Sequence, residues 1–122
     1  MLRIFIAESN PDLRVGLQFL INQRPGLQVT GIAVNGNDLI SQVNASIADV
    51  MLLDWELPGR PIDELIVDLK ALHQPLKIIV ISTQPNDEVK ANAAGVDGFT
   101  TKSDSPSKLI DVLFTMIQNK RK

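Results

Sequence analysis

Five short apolar runs rich in isoleucine and valine alternate with segments of helical spacing, and this alternation constrains the fold more than any other feature. The runs cover residues 2–7, 27–34, 50–53, 76–81 and 96–100, which are lengths typical of strands. The segments between them carry apolar residues on one helical face, as at Leu13, Leu17 and Ile21. Parallel strands need crossover connections, which are usually helices. The chain is therefore predicted to form an α/β protein, with five helices covering both faces of a five-stranded parallel sheet.

Small polar residues and glycines predict where the helices begin and end. The predicted starts are Asn10 before Pro11, Asn37 before Asp38, Asn86 before Asp87 and Ser105 before Pro106. Gly26 and Gly95 are predicted to end helices.

Length and composition limit the classes of protein that this chain can belong to. Its 122 residues predict one domain over residues 1–122, with residues 118–122 as a candidate start of a linker to an output domain. The absence of cysteine excludes disulfides and thiolate zinc sites. Glu8 ends the first apolar run too early for a signal peptide or membrane span, so a cytoplasmic location is expected.

Charge argues against a nucleic-acid-binding surface and leaves two interpretations of the acidic residues. The net charge is −2, and the only basic run is the C-terminal residues 120–122, so a basic patch for direct nucleic-acid binding is missing. Residues 25–69 contain seven acidic residues and only one basic residue, Arg60. A solvated acidic face is one interpretation, and a site for a divalent cation is the other.

Polar residues follow the predicted strands at the points where those strands end. They are Glu8 and Ser9 after the first run, Asp54 after the third, Ser82 and Thr83 after the fourth, and Lys102 after the fifth. Because the carboxyl ends of parallel strands share one edge of a sheet, these side chains are expected to meet in one cleft. Carboxylates, a hydroxyl and an ammonium group suit a magnesium ion together with a phosphoryl group.

Five segments, in order, resemble the receiver domain of bacterial two-component response regulators over essentially the full chain. They are "RIFIAESNP", "AVNGNDLI", "DVMLLDWELPG", "KIIVIST" and "GVDGFTTKSDSPSKL". The resemblance implies a flavodoxin-like, doubly wound sheet with strand order 2-1-3-4-5. It also implies a signalling protein rather than an enzyme acting on other substrates.

The resemblance implies a phosphorylation switch centred on Asp54. This residue would accept a phosphoryl group from a phosphohistidine on a sensor histidine kinase, and Lys102 would neutralise the phosphoryl oxygens. Ser82 would donate its hydroxyl to the phosphoryl group, and Phe99 would change rotamer in response. Tyrosine is commoner in the family at the position of Phe99, so a readout that needs a hydroxyl there is not expected.

The resemblance also implies a magnesium site, with one departure from the family pattern. Glu8, Asp54 and the backbone carbonyl of Glu56 would bind Mg²⁺. The family usually has a second acid after the first strand, whereas this chain has Ser9, a weak neutral ligand that is expected to lower magnesium affinity. The carboxylate of Glu56 is hypothesised to compensate in part.

Three further residues flank the predicted site and are expected to modulate it. They are Trp55, Thr83 and Gln84. The purely structural interpretations are that Trp55 only shields the site, that Phe99 is a core residue and that Glu8 simply pairs with Lys102. His73 is interpreted as a solvated surface residue and has no assigned role.

Two other functions fit parts of the sequence. A pseudo-receiver would bind partners without phosphorylation, and Ser9 favours it whereas the retained Asp54 and Lys102 oppose it. An aspartate-nucleophile phosphatase could use Asp54 and Glu56, but this arrangement normally follows a first strand and comes with a cap domain.

The segment after Lys102 resembles receivers that are joined to helix-turn-helix DNA-binding domains, and a homodimer is expected from family likeness alone.

Overall fold

The computed structural model describes residues 1–72 and 75–120, in which strands and helices alternate throughout. The strands are β1 (Leu2–Ala7), β2 (Leu27–Ala33), β3 (Val50–Asp54), β4 (Lys77–Ser82) and β5 (Gly98–Thr101). The helices are α1 (Pro11–Asn22), α2 (Leu39–Ser46), α3 (Ile62–Lys70), α4 (Asp87–Ala93) and α5 (Pro106–Lys120). His73 and the last two positions of the candidate linker lie outside the described residues.

The five strands form one sheet in the order β2-β1-β3-β4-β5, and every neighbouring pair is parallel. Both the predicted α/β class and the strand order implied by the resemblance are confirmed. The parallel arrangement places the carboxyl ends of all five strands at one edge of the sheet. No helix in the described part of the chain is both long and apolar enough to span a membrane.

Two apolar clusters, one on each face of the sheet, hold the helices in place. On one face, α1 and α5 pack through Leu17, Ile21, Leu109, Ile110 and Leu113. On the other, α2, α3 and α4 pack through Leu39, Val43, Leu65, Ile66, Leu69 and Ala91. The central strand β3 serves both clusters, since Val50 and Leu52 belong to the first and Met51 and Leu53 to the second.

The helix boundaries follow the predicted signals in some places and not in others. Asn10 caps α1 by accepting the backbone N–H groups of Asp12 and Leu13, as expected. Gly95, with a φ of +91°, follows α4 in the left-handed conformation that glycine favours. The prediction for Gly26 is wrong, because α1 ends at Asn22 and this glycine belongs to the turn before β2.

Candidate functional site

The carboxyl edge of the sheet gathers the polar residues that the sequence places after its strands. Asp54 is the last residue of β3 and Ser82 the last of β4, while Glu8 directly follows β1 and Lys102 directly follows β5. Asp54 pairs with Ile81 in the β3–β4 register, so Ser82 lies next to the end of β3. Glu8, Asp54 and Ser82 are buried.

The Asp54 carboxylate has no exposed surface and is held by four donors. Its Oδ1 accepts the Glu56 N–H at 2.9 Å and lies 3.1 Å from Lys102 Nζ. Its Oδ2 accepts the Ser9 hydroxyl at 2.8 Å and the Ser9 N–H at 3.2 Å. A buried carboxylate is tolerated when it is paired and hydrogen-bonded in this way, which explains how an apolar strand can end in a charge.

Lys102 joins three carboxylates, one just after β1, one at the end of β3 and one in the turn that follows β3. Its Nζ lies 3.1 Å from Glu8 Oε2, 3.1 Å from Asp54 Oδ1 and 3.8 Å from Glu56 Oε1, and its side chain is only 18% exposed. The pairing of Glu8 with Lys102 that the sequence left open is therefore present. The ammonium group is positioned to neutralise negative charge that develops at Asp54.

The same neighbours set the protonation of these groups. Burial alone would raise the pKa of Asp54, but the Glu56 and Ser9 donors and Lys102 together hold this pKa below its ordinary value. Burial works to lower the pKa of Lys102, yet its bonds to Glu8 and Asp54 raise it above the usual value. Asp54 is therefore ionised and Lys102 charged at neutral pH.

For Glu8, in contrast to Asp54, the effect of burial outweighs that of the hydrogen-bond donors. Burial raises the pKa of its carboxyl group above the ordinary value, although the Asn10 N–H and Lys102 both bond to it. Both of these donors reach Oε2, and Oε1 is buried without a hydrogen-bond partner. An unpartnered buried carboxylate oxygen next to Asp54 is suited to bind a cation.

The donor set fits a magnesium ion, with carboxylates from Glu8 and Asp54 and neutral oxygens from Ser9 and the Glu56 backbone. Among residues 1–72 and 75–120, no group of three or more Asp, Glu, His or Cys side chains is arranged to hold a metal. A cation here would therefore need backbone carbonyl and water oxygens in addition to the two carboxylates, which is common for magnesium.

Ser82 has a partner that sequence reasoning missed. Its hydroxyl donates to Asp87 Oδ2 at 2.6 Å and accepts the Gln84 N–H at 3.0 Å. Asp87 is the first residue of α4, so the Ser82 hydroxyl is tied to the start of that helix. The acidic residue at a helix start was visible in the sequence, but nothing there indicated that it would bind Ser82.

Glu56 also makes contacts that the sequence did not indicate. Its Oε1 accepts the Thr83 N–H at 3.4 Å, and its Oε2 accepts the Thr83 hydroxyl. The Glu56 carboxylate thus bridges the loop after β3 to the loop after β4. Its contacts are with Thr83 and Lys102, and the predicted compensation for Ser9 stays a prediction.

The two aromatic residues near the site are partly buried. Trp55 follows Asp54, donates its backbone N–H to Ile81 O at 2.9 Å and packs against the cluster under α2, α3 and α4. Phe99 lies in β5 and packs against the same cluster. These positions agree with a packing role for both, and the rotamer switch at Phe99 stays a prediction.

Comparison with known proteins gives the same architecture. The family model of the response regulator receiver domain matches residues 4–114. The transcriptional regulatory protein DesR of Bacillus subtilis is 31% identical over 123 residues, covering 99% of this chain and 61% of DesR. The nitrate/nitrite response regulator protein NarL of Escherichia coli K12 is 31% identical over 112 residues, covering 90% of this chain and 52% of NarL.

Among solved structures, a DNA-binding response regulator of the LuxR family from Staphylococcus aureus superposes with a TM-score of 0.85. It is 24% identical, and the match covers 95% of this chain and 98% of that one, so it supports the fold alone. The present chain spans about half to three fifths of the length of the curated relatives that it matches.

Proposed function

Since the chain belongs to the response regulator receiver domain family, we propose that it is a phosphoacceptor switch in which Asp54 takes a phosphoryl group from a sensor histidine kinase. The observation that carries the proposal is the Lys102 ammonium group, 3.1 Å from an ionised aspartate at the carboxyl end of the central strand. An ionised carboxylate is the nucleophile that this reaction needs, and the ammonium group offsets the repulsion between two anions.

In the proposed reaction, an Asp54 oxygen attacks the phosphorus of a phosphohistidine. The new bond joins this oxygen to phosphorus, and the bond from phosphorus to the histidine nitrogen breaks. The electron pair stays on that nitrogen, and the imidazole takes a proton from solvent. Lys102 remains protonated throughout, because its raised pKa keeps the charge in place while negative charge accumulates on the phosphoryl oxygens.

Magnesium would be held by Glu8, Asp54 and the backbone carbonyl of Glu56, with Ser9 as a weak ligand. When bound, it supplies positive charge that offsets the charge on the phosphoryl oxygens. The unpartnered Glu8 Oε1 supports this assignment. Ser9 in place of an acid leaves the site with one charge fewer than the family pattern, which supports a lowered affinity.

The switch is proposed to work through Ser82 and Phe99. A phosphoryl group on Asp54 would draw the Ser82 hydroxyl away from Asp87, and the start of α4 would move with it. Phe99, paired with Val80 of β4, would follow this change. Because several relatives are named transcriptional regulators, we propose that the change is read by a DNA-binding output domain, with dimerisation as one means of output.

Incubation with acetyl phosphate tests the proposal. The parent protein is expected to gain the mass of one phosphoryl group when magnesium is present and little when it is omitted. Asp54→Asn is expected to gain none, since an amide is not a nucleophile for this reaction. Labelling of Asp54→Asn to the level of the parent would refute the assignment of Asp54.

A pseudo-receiver is the second candidate, and the contacts of Asp54 favour it. The Ser9 hydroxyl and N–H both donate to Asp54 Oδ2, and these two contacts stabilise the unmodified anion and oppose its reaction. A folded parent protein that gains no mass with acetyl phosphate and magnesium, and shows no spectral change with beryllofluoride, would support this second function and refute the first.

A further inference from the structure

The Glu56 carboxylate occupies donors that lie close to Asp54. It accepts both the N–H and the hydroxyl of Thr83 and lies 3.8 Å from Lys102 Nζ. The same ammonium group is 3.1 Å from Asp54 Oδ1. Glu56 is therefore a third carboxylate beside Lys102, after Glu8 and Asp54, and it is also bonded to Thr83, the residue that follows β4.

A phosphoryl group on Asp54 would need those same donors. Its oxygens carry negative charge and must be met by hydrogen-bond donors or cations. Lys102 lies in contact with Asp54, and Ser82 ends the strand that pairs with β3, with Thr83 directly after it. In the described structure the Ser82 hydroxyl is bound to Asp87 and both Thr83 donors are bound to Glu56.

We propose that the Glu56 side chain is an internal competitor of the phosphoryl group. The Glu56 carboxylate must leave Thr83 and Lys102 before Asp54 can hold a phosphate stably. The inference rests on the proposed function and adds a regulatory contact to it. Glu56 resembles the incoming group in charge and in the donors that it uses. Its removal is therefore expected to speed phosphorylation.

The surroundings of Glu56 allow this movement. Its side chain is 41% exposed and Thr83 lies on the surface, so the carboxylate can turn into solvent without opening the core. Asp54, in contrast, has no exposed surface and stays in place. The competing contact is between two surface loops, and breaking a charge-assisted hydrogen bond there costs only modest free energy.

A structure of the parent protein with beryllofluoride and magnesium tests the competition directly. The fluoride atoms are expected to accept from Thr83 N–H and Lys102, and the Glu56 carboxylate is expected to have left both. A complex in which beryllofluoride is bound to Asp54 while Glu56 still contacts Thr83 would overturn the inference.

Labelling rates with acetyl phosphate and magnesium provide the second test. Glu56→Ala is expected to be labelled about three to ten times faster than the parent, as for removal of one ordinary competing hydrogen bond at an exposed position. The labelling rate of Glu56→Gln is expected to lie between those of the parent and Glu56→Ala, because its amide oxygen still accepts from Thr83. Glu64→Gln, the same charge change at an exposed position in α3, is expected to match the parent.

The possible results separate the two proposals. A Glu56→Ala variant no faster than the parent would overturn the competition. Equal acceleration by the alanine and glutamine variants would also overturn it, since loss of charge alone would then account for the effect. A folded parent that takes up neither phosphate nor beryllofluoride would refute the proposed function, and this inference with it.

Discussion

At the scale of single residues, Glu8 and Asp54 show how two buried carboxylates can differ in pKa. Asp54 receives four donors, and its pKa is lowered despite burial. Glu8 receives two donors on one oxygen and none on the other, and its pKa is raised. The number and placement of donors, rather than burial alone, decides the direction.

Glu8→Gln is therefore expected to stabilise the protein at neutral pH. A raised pKa in the folded state means that ionising Glu8 costs stability as the pH rises from its ordinary value of 4.5 through the folded value. The glutamine variant escapes this penalty, so urea denaturation at pH 7 is expected to give it a higher free energy of unfolding than the parent. At pH 4, where Glu8 is largely protonated in both states, the gain should largely disappear.

Two controls accompany this measurement. Glu64→Gln changes an exposed glutamate in α3 and is expected to have little effect at either pH. Magnesium should stabilise the parent more than Glu8→Gln, because the variant lacks a carboxylate ligand. A Glu8→Gln variant that is less stable than the parent at pH 7 would contradict the explanation.

The sequence predicted the backbone positions of the site better than its side-chain contacts. Glu8, Asp54, Ser82 and Lys102 share one edge because parallel strands all end there, and strand ends can be read from apolar runs. The partner of Ser82 depends instead on the conformation of the loop before α4, which no periodic pattern specifies. The same holds for the Glu56 contact with Thr83.

At the scale of elements, the pairing of β1 with β2 contains an irregularity. The register shifts between Ile4 and Phe5, where the pairing moves from Val29 to Gly31. A Cβ atom on Gly31 would lie 2.5 Å from two ring atoms of Phe5, whose residue is only 2% exposed. Glycine is needed here because the buried ring takes the space of a side chain.

Gly31→Ala is accordingly expected to lower the free energy of unfolding by about 1–3 kcal/mol, the usual range for overpacking a core. Gly16→Ala is the matched control, since a Cβ at this position in α1 meets no atom within 4 Å. Alanine favours helix over glycine, so the control should gain roughly 0.5–1 kcal/mol. Equal urea midpoints for Gly31→Ala and the parent would show that Phe5 moves aside without cost.

The sequence patterns also failed to predict one helix boundary, the end of α1. Gly26 has a φ of +88°, which suits glycine, but it lies in the turn before β2 rather than directly after a helix. Local composition identified the conformation that this residue requires, whereas α1 already ends at Asn22 with Gln23 as its C-cap.

At the scale of the whole molecule, the two apolar clusters are joined through the central strand. Leu52 and Leu53 are neighbours in β3 and are 1% and 0% exposed, yet they belong to clusters on opposite faces of the sheet. A strand that is buried on both faces couples the helices above it to those below it. The candidate site lies at the carboxyl end of this doubly buried strand.

Leu52→Ala and Leu53→Ala are therefore expected to destabilise the whole molecule to a similar extent. Each creates a cavity in a closed core and should cost about 2–5 kcal/mol, whereas Val67→Ala, at a position 67% exposed in α3, should change stability by less than about 0.5 kcal/mol. Trp55 fluorescence reports the face with Leu53, and far-UV circular dichroism reports all helices. Coincident urea transitions for the two probes in both variants would show one cooperative unit. Loss of helical signal before the Trp55 change in Leu52→Ala would show instead that α1 and α5 unfold separately, and that β3 does not couple the two faces.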